Sequence, residues 1–518
     1  MDKRELVNNL SIGYNLILNL KNTNSINMAK ETKEGITVKK DDNFSEWYTQ
    51  IIQKADLADI RFGIQGFIVH KPWSFKIARK IYEYFEDEVE KDNHEPFLFP
   101  IAVKEKDLMR EKEHAGFSPD VFWITEAGSE VLEERFALRP TGEAQIYPMY
   151  SLWIRSHNDL PFKGYQSRIT VFRNEKTTRP FIRGREFMFF ETHDVFASEG
   201  EALEQVRKDA EMANRVMKEK LKIPFLFFKR PQWDKFLGAK NTYTPDTLMP
   251  DGKRNQLAST HDLSTNFSKA YNIKFIDKDE KEKYAFQTCF GPGIWRQLAA
   301  LIAVHGDDKG LILPFEIAPV QVVIIPIISN KNEKESTSII EYCKKIKNLL
   351  KEYKAEIDLS ENSPGFKYNH WELKGVPIRI EIGPKELKSK KATIKRRTDR
   401  QGKSVTLKSL KDEIKKQAKE VDQQIEKNAE KYFKDKIRNA SSLNDVKKII
   451  SSYKGFIRVP FCSVEMEGKE CADILKEKTE GGVVCGTLFP VAEKAKPNEG
   501  CVVCRKKASQ IVYISKSY

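Results

Sequence analysis

Three arginines stand close together in strongly aromatic surroundings. They lie in Val171-Phe-Arg173-Asn-Glu175 and, after a Thr-Thr-Arg-Pro turn, in Phe181-Ile-Arg183-Gly-Arg185-Glu186-Phe187-Met-Phe189-Phe-Glu191-Thr-His193. A guanidinium is costly to set among bulky apolar side chains unless a planar anion offsets the cost. A nucleotide phosphate or a carboxylate is the matching guest, and a surface ion pair is the alternative for any one of them. Two strands joined by the turn would direct all three out of a sheet. A second group, Leu138-Arg-Pro-Thr141-Gly-Glu143, presents a hydroxyl and a carboxylate two residues apart. In a strand both face one side and could grip an ammonium group. The same residues could equally start a helix after Pro140. His193 and His261 by themselves read as hydrogen-bonded core histidines.

Five of the seven cysteines fall in the last 57 residues: Cys462, Cys471, Cys485, Cys501 and Cys504. Cys501-Val-Val-Cys504 has the spacing of a zinc knuckle. Cys462 and Cys471 are more widely separated, so a four-thiolate zinc site and simple buried thiols are both open. Cys343 shares a helical apolar face with Ile339 and Ile346 and belongs to a core. No metal-hydrolase spacing, serine nucleophile elbow or Walker loop is present. Gly291-Pro-Gly293 lacks the third glycine of a dinucleotide turn.

The elements that must carry these residues follow from periodicity. The chain has 518 residues, too many for one core and enough for about three domains. Its 89 Lys+Arg against 75 Asp+Glu give +14 and a pI near 9.1. About two-thirds of that excess lies between Lys385 and Lys436, with 18 basic and 9 acidic residues. Leu407, Leu410, Ile414, Ala418, Val421 and Ile425 recur at helical spacing, so residues 405–436 read as one amphipathic helix. The run 388–400, with Lys395-Arg396-Arg397, has no such period and could meet phosphate or solvent. Helices are also expected after Pro72, ending near Asn93-His94, and over 200–222. Strand-like runs are expected at 96–100, 121–125, 164–172, 185–190, 224–228 and 284–290. Near Phe315 an α/β module begins, with strands over 320–328 and 376–382 around a helix over 333–353. The apolar runs 320–328 and 298–304 are far shorter than the ~20 residues of a spanning helix. The first thirty residues carry no apolar signal core, so a cytoplasmic protein is expected.

Together these segments resemble the prolyl-tRNA synthetase family, class II, archaeal/eukaryotic-like type, over about residues 44–518. The arginine-rich run resembles motif 2, and Thr141-Gly-Glu143 the Thr-x-Glu loop. Phe99-Pro100 resembles motif 1, at the homodimer interface. Residues 291–296 and the apolar helix to His305-Gly-Asp307 resemble motif 3. Trp371-Glu372-Leu-Lys-Gly-Val-Pro-Ile-Arg379 and on to Lys385 resemble the anticodon-binding module.

The resemblance implies an α+β fold. An antiparallel-sheet catalytic domain (44–314) follows a polar stretch (1–43). An α/β anticodon-binding domain (315–404) comes next, then a long basic helix with a small zinc-binding-like domain (405–518). It implies formation of prolyl-adenylate from L-proline and ATP, then transfer to the 3′ end of tRNA(Pro), by a homodimer with no membrane partner. Arg173 would neutralise the α-phosphate and the amino-acid carboxylate, and Arg296 the γ-phosphate. Glu175, Arg183, Gln256 and Ser259 would face ATP, which arrives with Mg2+. Thr141 and Glu143 would hold the proline nitrogen. Phe117, Phe189, Glu191, His193, His261 and Cys289 would wall the ring; Phe189 stands where the family often has tryptophan. Tyr368, Glu372, Arg379 and Lys385 would read the anticodon. Cys462, Cys471, Cys501 and Cys504 would hold structural zinc, with Cys485 left over. The 123 residues from Arg173 to Arg296 leave no room for a large editing insertion. The rivals are a class II synthetase for threonine, histidine or glycine, and a non-catalytic tRNA-binding paralogue. The Thr141/Glu143 pair, the Trp371 segment and the carboxyl-terminal tail argue against the first. The presence of Arg173, Glu143 and Arg296 argues against the second.

Overall fold

The computed structural model describes residues 35–115, 120–329 and 332–518, with the backbone alone over 111–115. Most of the polar stretch 1–43, and Phe117, lie outside the described residues. The centre of the molecule is a large, mainly antiparallel sheet. Its catalytic part is built from β1 (Phe162–Phe172), β2 (Glu186–Phe196), β3 (Leu226–Lys229), β4 (Asn241–Leu248), β5 (Ala258–Ser264) and β6 (Phe286–Pro292). The spatial order is β3-β4-β5-β6-β2-β1, every neighbouring pair antiparallel.

Alternation along these strands separates two faces. Phe190 and Phe290 point to one face and pack against Phe85, tilted and edge-on respectively, with ring centroids 5.8 and 6.0 Å apart. Phe85 belongs to helix α1 (Pro72–Lys91), which starts on a proline and buries Ile77, Ile81, Phe85 and Val89. The other face meets helix α2 (Glu143–Trp153). Helix α3 (Glu199–Ala213), opened by a Ser198/Glu201 capping box, lies with α1. So does α4 (Ile294–His305), which is apolar almost all round and buried accordingly. The expected helix over 200–222 is thus α3 followed by a wider π turn, Asn214–Lys220. The expected strand at 96–100 shrinks to Glu95–Pro96, because only these two residues pair, in parallel, with β1.

The second module holds β7 (Val322–Pro326), β8 (Ile378–Ile382), β9 (Lys391–Arg396) and β10 (Gly402–Thr406). β7 and β8 are parallel, and β9 and β10 add antiparallel. Helix α5 (Glu333–Leu349) covers this sheet with Ile339, Cys343 and Ile346, which places Cys343 in the core. Helix α6 (Pro364–Leu373) precedes β8. The basic helix α7 runs over Leu410–Asp435, not from 405. Val405 instead pairs with Ala392 in β10, where its buried side chain serves the sheet.

The last module contains β11 (Phe456–Phe461), helix α8 (Lys469–Lys478), β12 (Val483–Leu488) and β13 (Gln510–Ser515). Its strands continue the central sheet, since Thr487 and Leu488 of β12 pair with Lys229 and Phe228 of β3. Gly486 makes that seam close: a Cβ there would lie 2.0 Å from the Lys229 carbonyl.

Candidate active site

β2, β6 and β5 carry a row of cross-strand partners on the face toward α2. His193 pairs with Cys289, and Cys289 with His261. Glu191, two residues before His193, shares that face. The chain enters α2 beside them: Gly142 is the N-cap and Glu143 the first helical residue. Of the two readings of Thr141-Gly-Glu143, the structure therefore adopts the helix start. The Thr141 hydroxyl still donates to the Glu143 carboxylate. Gly142 is required here, because a Cβ would fall 2.3 Å from Glu191 Oε1.

Glu143, Glu191 and His193 are all at most 1% exposed. Gln166 Nε2 donates to Glu191 Oε1 at 2.7 Å, and the Tyr147 hydroxyl meets His193 Nδ1 at 2.9 Å. His193 Nε2 faces Glu191 Oε2 at 3.1 Å. His261 bonds Thr242 through Nδ1 and Ser259 through Nε2, each at 3.0 Å. Burial raises the Glu143 pKa, and the Glu191 carboxylate adds to the rise. Burial alone would lower His193, but Glu191 and Glu143 outweigh it and the pKa is raised. His261 has no carboxylate so placed; burial, then His193, pull it down to about 3. Two carboxylates with one adjacent imidazole make a pocket that favours a cationic guest.

The arginines come from the connection between β1 and β2, not from the strands themselves. Arg173 directly follows β1, and Arg183 and Arg185 precede β2; the Arg173 amide donates to the Arg185 carbonyl at 2.9 Å. The Thr-Thr-Arg-Pro segment is a longer loop than a strand-to-strand turn, so these side chains surround a cleft. That cleft, about 280 Å³, is lined by Arg173, Glu175, Arg183, Phe189, Gln256, Ser259, Trp295 and Arg296, among others. Arg296 sits in the first turn of α4. Burial, then the guanidiniums of Arg183 and Arg173, lower its pKa to about 10. A guanidinium depressed by two others across a cleft marks a site for a polyanion. Arg183 has local partners, Glu175 at 3.5 Å and the backbone oxygen of Tyr518 at 3.0 Å. Arg185 Nε donates to the Glu175 carbonyl at 3.0 Å and serves the loop. Ser259 lines the cleft and also bonds His261, so the phosphate-sized cleft and the polar pocket are contiguous.

Sequence reasoning missed Gln166, Tyr147 and Trp295. Tyr147 stands four residues after Glu143 on α2, a spacing that puts both on one helix face. A glutamine inside the strand-like run 164–172 was the available sign for Gln166. Arg139 is a support: it donates to the carbonyls of Thr170 and Phe99 and to Gln166 Oε1.

Of the four expected anticodon residues, three come together. Arg379 on β8 lies 4.1 Å over the Tyr368 ring and 3.3 Å from Glu372, both on α6. Lys385 is exposed on the next short helix, Pro384–Ser389. The Lys395-Arg396-Arg397 part of the basic run is engaged in ion pairs. Lys395 meets Glu381, Arg396 meets Asp399 and Glu420, and Arg397 forks onto Asp307 at the end of α4. In the last module, Cys462, Cys471, Cys501 and Cys504 place their Sγ atoms within 4.8 Å of one another. The chain reverses after Cys504 through Arg505 at φ 65°, and the Cys501 amide donates to Lys506. Four converging thiols on a knuckle fit a tetrahedral zinc ion. Cys485 is buried elsewhere, beside Arg230.

Residues 122–305 match the tRNA synthetase class II core domain (G, H, P, S and T). Residues 321–417 match the anticodon binding domain, and 443–518 the prolyl-tRNA synthetase C-terminal domain. The proline--tRNA ligase of Thermofilum pendens is 49% identical over 491 residues, covering 94% of this chain and all of that one. That of Methanococcoides burtonii is 40% identical, over 95% of this chain and all of its own. Among solved structures, Giardia lamblia prolyl-tRNA synthetase in complex with prolyl-adenylate superposes with a TM-score of 0.89 at 31% identity, over 93% of this chain and all of that one. The Cryptosporidium parvum enzyme complexed with halofuginone and AMPPNP gives 0.88 at 31% identity, over 95% and 99%. With its core, anticodon and C-terminal domains all matched, the chain belongs to the class II prolyl-tRNA synthetases.

Proposed function

We propose that the contiguous cleft and pocket activate L-proline with ATP and that the activated proline is then passed to tRNA(Pro). The observation that carries this reading is the junction at Ser259, where an arginine-lined cleft of nucleotide character opens on a buried two-carboxylate pocket. Thr141 and Glu143 hold the proline ammonium. Glu191, His193, His261, Cys289 and Phe189 shape the ring wall. Arg173 draws the carboxylate and the α-phosphate together and stabilises charge as the carboxylate attacks phosphorus, while Arg296 holds the distal phosphates. Glu175, Arg183, Gln256 and Ser259 face the nucleotide, whose Mg2+ travels on its phosphates. No covalent enzyme intermediate is needed.

Tyr368, Glu372, Arg379 and Lys385 meet the anticodon. A structural zinc ion belongs to Cys462, Cys471, Cys501 and Cys504. The exposed apolar group Leu98, Ile101, Leu152 and Trp153, beside Phe99-Pro100, supports a homodimer interface. Unpaired cysteines throughout the described residues support a cytoplasmic setting, and no helix among them is long and apolar enough to cross a membrane. Between Arg173 and Arg296 the chain is used by the sheet and α3, which supports the reading that mischarged alanine is cleared elsewhere. Each missing ring carbon costs alanine only about 1–3 kcal/mol of selectivity.

The test separates the two halves of the site. In ATP–pyrophosphate exchange, Glu143→Gln should raise KM for proline by about tenfold or more and leave KM for ATP near the wild-type value. A change confined to ATP would refute the assignment of the pocket.

A further inference from the structure

One donor atom from each of Glu143, His193 and Cys289 lies within 4.8 Å of the other two, all three buried. Their elements differ: the start of α2, β2 and β6. Nitrogen, sulfur and oxygen donors in one buried pocket are the ligand set of zinc, and three protein ligands leave its fourth position open. A second observation points the same way. His193 Nε2 and Glu191 Oε2 face each other at 3.1 Å in a buried ion pair, so an ion on His193 would have the Glu191 carboxylate beside it. A tetrahedral ion with bonds of ~2.0–2.1 Å holds its nitrogen and oxygen ligands ~3.3 Å apart, close to that spacing. The outer contacts suit metal binding as well. Tyr147 occupies His193 Nδ1, Gln166 orients Glu191, and Thr141 orients Glu143.

We propose that the amino-acid pocket, in the absence of proline, is an inhibitory site for a soft divalent cation, zinc being the best fit, held by Glu143, His193 and Cys289 with Glu191 adjoining. The inference rests on the reading of this pocket as the proline site. The ammonium of proline and the metal answer the same need for positive charge beside the same carboxylates, so they exclude each other. Free zinc then lowers proline affinity without entering the nucleotide cleft, and proline expels zinc. This site is separate from the four-cysteine knuckle, which binds its ion whether or not proline is present.

The experiment is equilibrium dialysis of radiolabelled L-proline against the full chain, preloaded with one equivalent of zinc to fill the knuckle. Further ZnCl2 is then added in buffer free of ATP and pyrophosphate, which chelate zinc. The expected result is an apparent Kd for proline that rises in proportion to free zinc. Cys289→Ala should shift the required zinc upward by about tenfold or more. Because that variant could disturb the pocket itself, Co2+ supplies a second readout on the wild-type chain. Cobalt added after knuckle loading should give a thiolate charge-transfer band that L-proline abolishes. Zinc and proline bound together, a cobalt band indifferent to proline, or an unchanged zinc requirement in Cys289→Ala would each overturn the proposal. Proline that binds well without zinc leaves the functional reading intact in all those cases. Absence of proline binding altogether would count against both.

Discussion

Arg296 and Arg173 reach one cleft from different elements, the first turn of α4 and the end of β1, and their charges oppose each other until an anion enters. Arg296→Ala should therefore slow proline-dependent pyrophosphate exchange by about 10²–10³-fold, the range for loss of one charge-stabilising donor. Proline binding measured without ATP should persist. Retained exchange would remove Arg296 from the chemistry. Arg173 was legible in the sequence because arginine among aromatics is chemically conspicuous, whereas Arg296 came only with the resemblance to motif 3. Gln166 and Tyr147 were harder: a glutamine within a strand-like run and a tyrosine four residues after Glu143 were visible, but not what either side chain would orient. Asp209 was also silent. Burial, with Asp194 adding to it, pushes this α3 carboxyl up to about 8. The folded state thus keeps a proton that the unfolded chain releases near the ordinary value of 3.8. Stability from this group is full at low pH and is lost as pH rises toward about 8, levelling off above it. Asp209→Asn should flatten the fall in thermal midpoint between about pH 5 and pH 8 relative to wild type. An unchanged slope would contradict the assignment.

Among the elements, the helices were read well because a 3.6-residue period is local. Ile77, Ile81, Phe85 and Val89 on α1 marked the buried face directly. The sheet was less legible, because strand pairing is non-local and period two says nothing about the neighbour. Nothing in 483–488 announced that β12 would pair with β3, more than two hundred residues earlier. The Lys395-Arg396-Arg397 run stayed open between phosphate and solvent for a related reason: its carboxylate partners, Glu381, Glu420 and Asp307, are brought to it only by the fold. The β3–β12 seam yields its own prediction. Gly486 has φ 132° and its missing Cβ faces the Lys229 carbonyl. Gly486→Ala should destabilise the protein by about 1–3 kcal/mol, read as an earlier denaturant midpoint. The adjoining Arg230 also holds the Cys485 carbonyl, Asp246 and Gln256, so KM for ATP should rise with it. A neutral effect on both would contradict the view of the seam as part of the active-site frame.

At the scale of the whole molecule, α7 ties the modules together. Its first turns bury Leu410, Ile414 and Ala418 in the second module, and its last turn places Phe433 against Phe228 and Phe456 of the central and terminal parts. Twenty-six residues make a rod of about 39 Å, so the strongly basic segment is largely a structural strut with a solvated face. The net charge of the chain only admitted a polyanionic partner; the site residues and the three matched domains are what point to a tRNA. Because the terminal module shares the sheet with the catalytic part, the cysteine knuckle bears on the whole. Stripping metal with a strong chelator should lower the thermal midpoint by several degrees, and Cys501→Ser with Cys504→Ser should reproduce the loss. No change in either would exclude a structural metal there. The most direct test of the central claim is ATP–pyrophosphate exchange by the purified chain with a panel of amino acids. Strong exchange with L-proline, weak exchange with alanine or cysteine and none with threonine, glycine or histidine is the predicted result. Exchange driven by threonine or glycine but not by proline would contradict it.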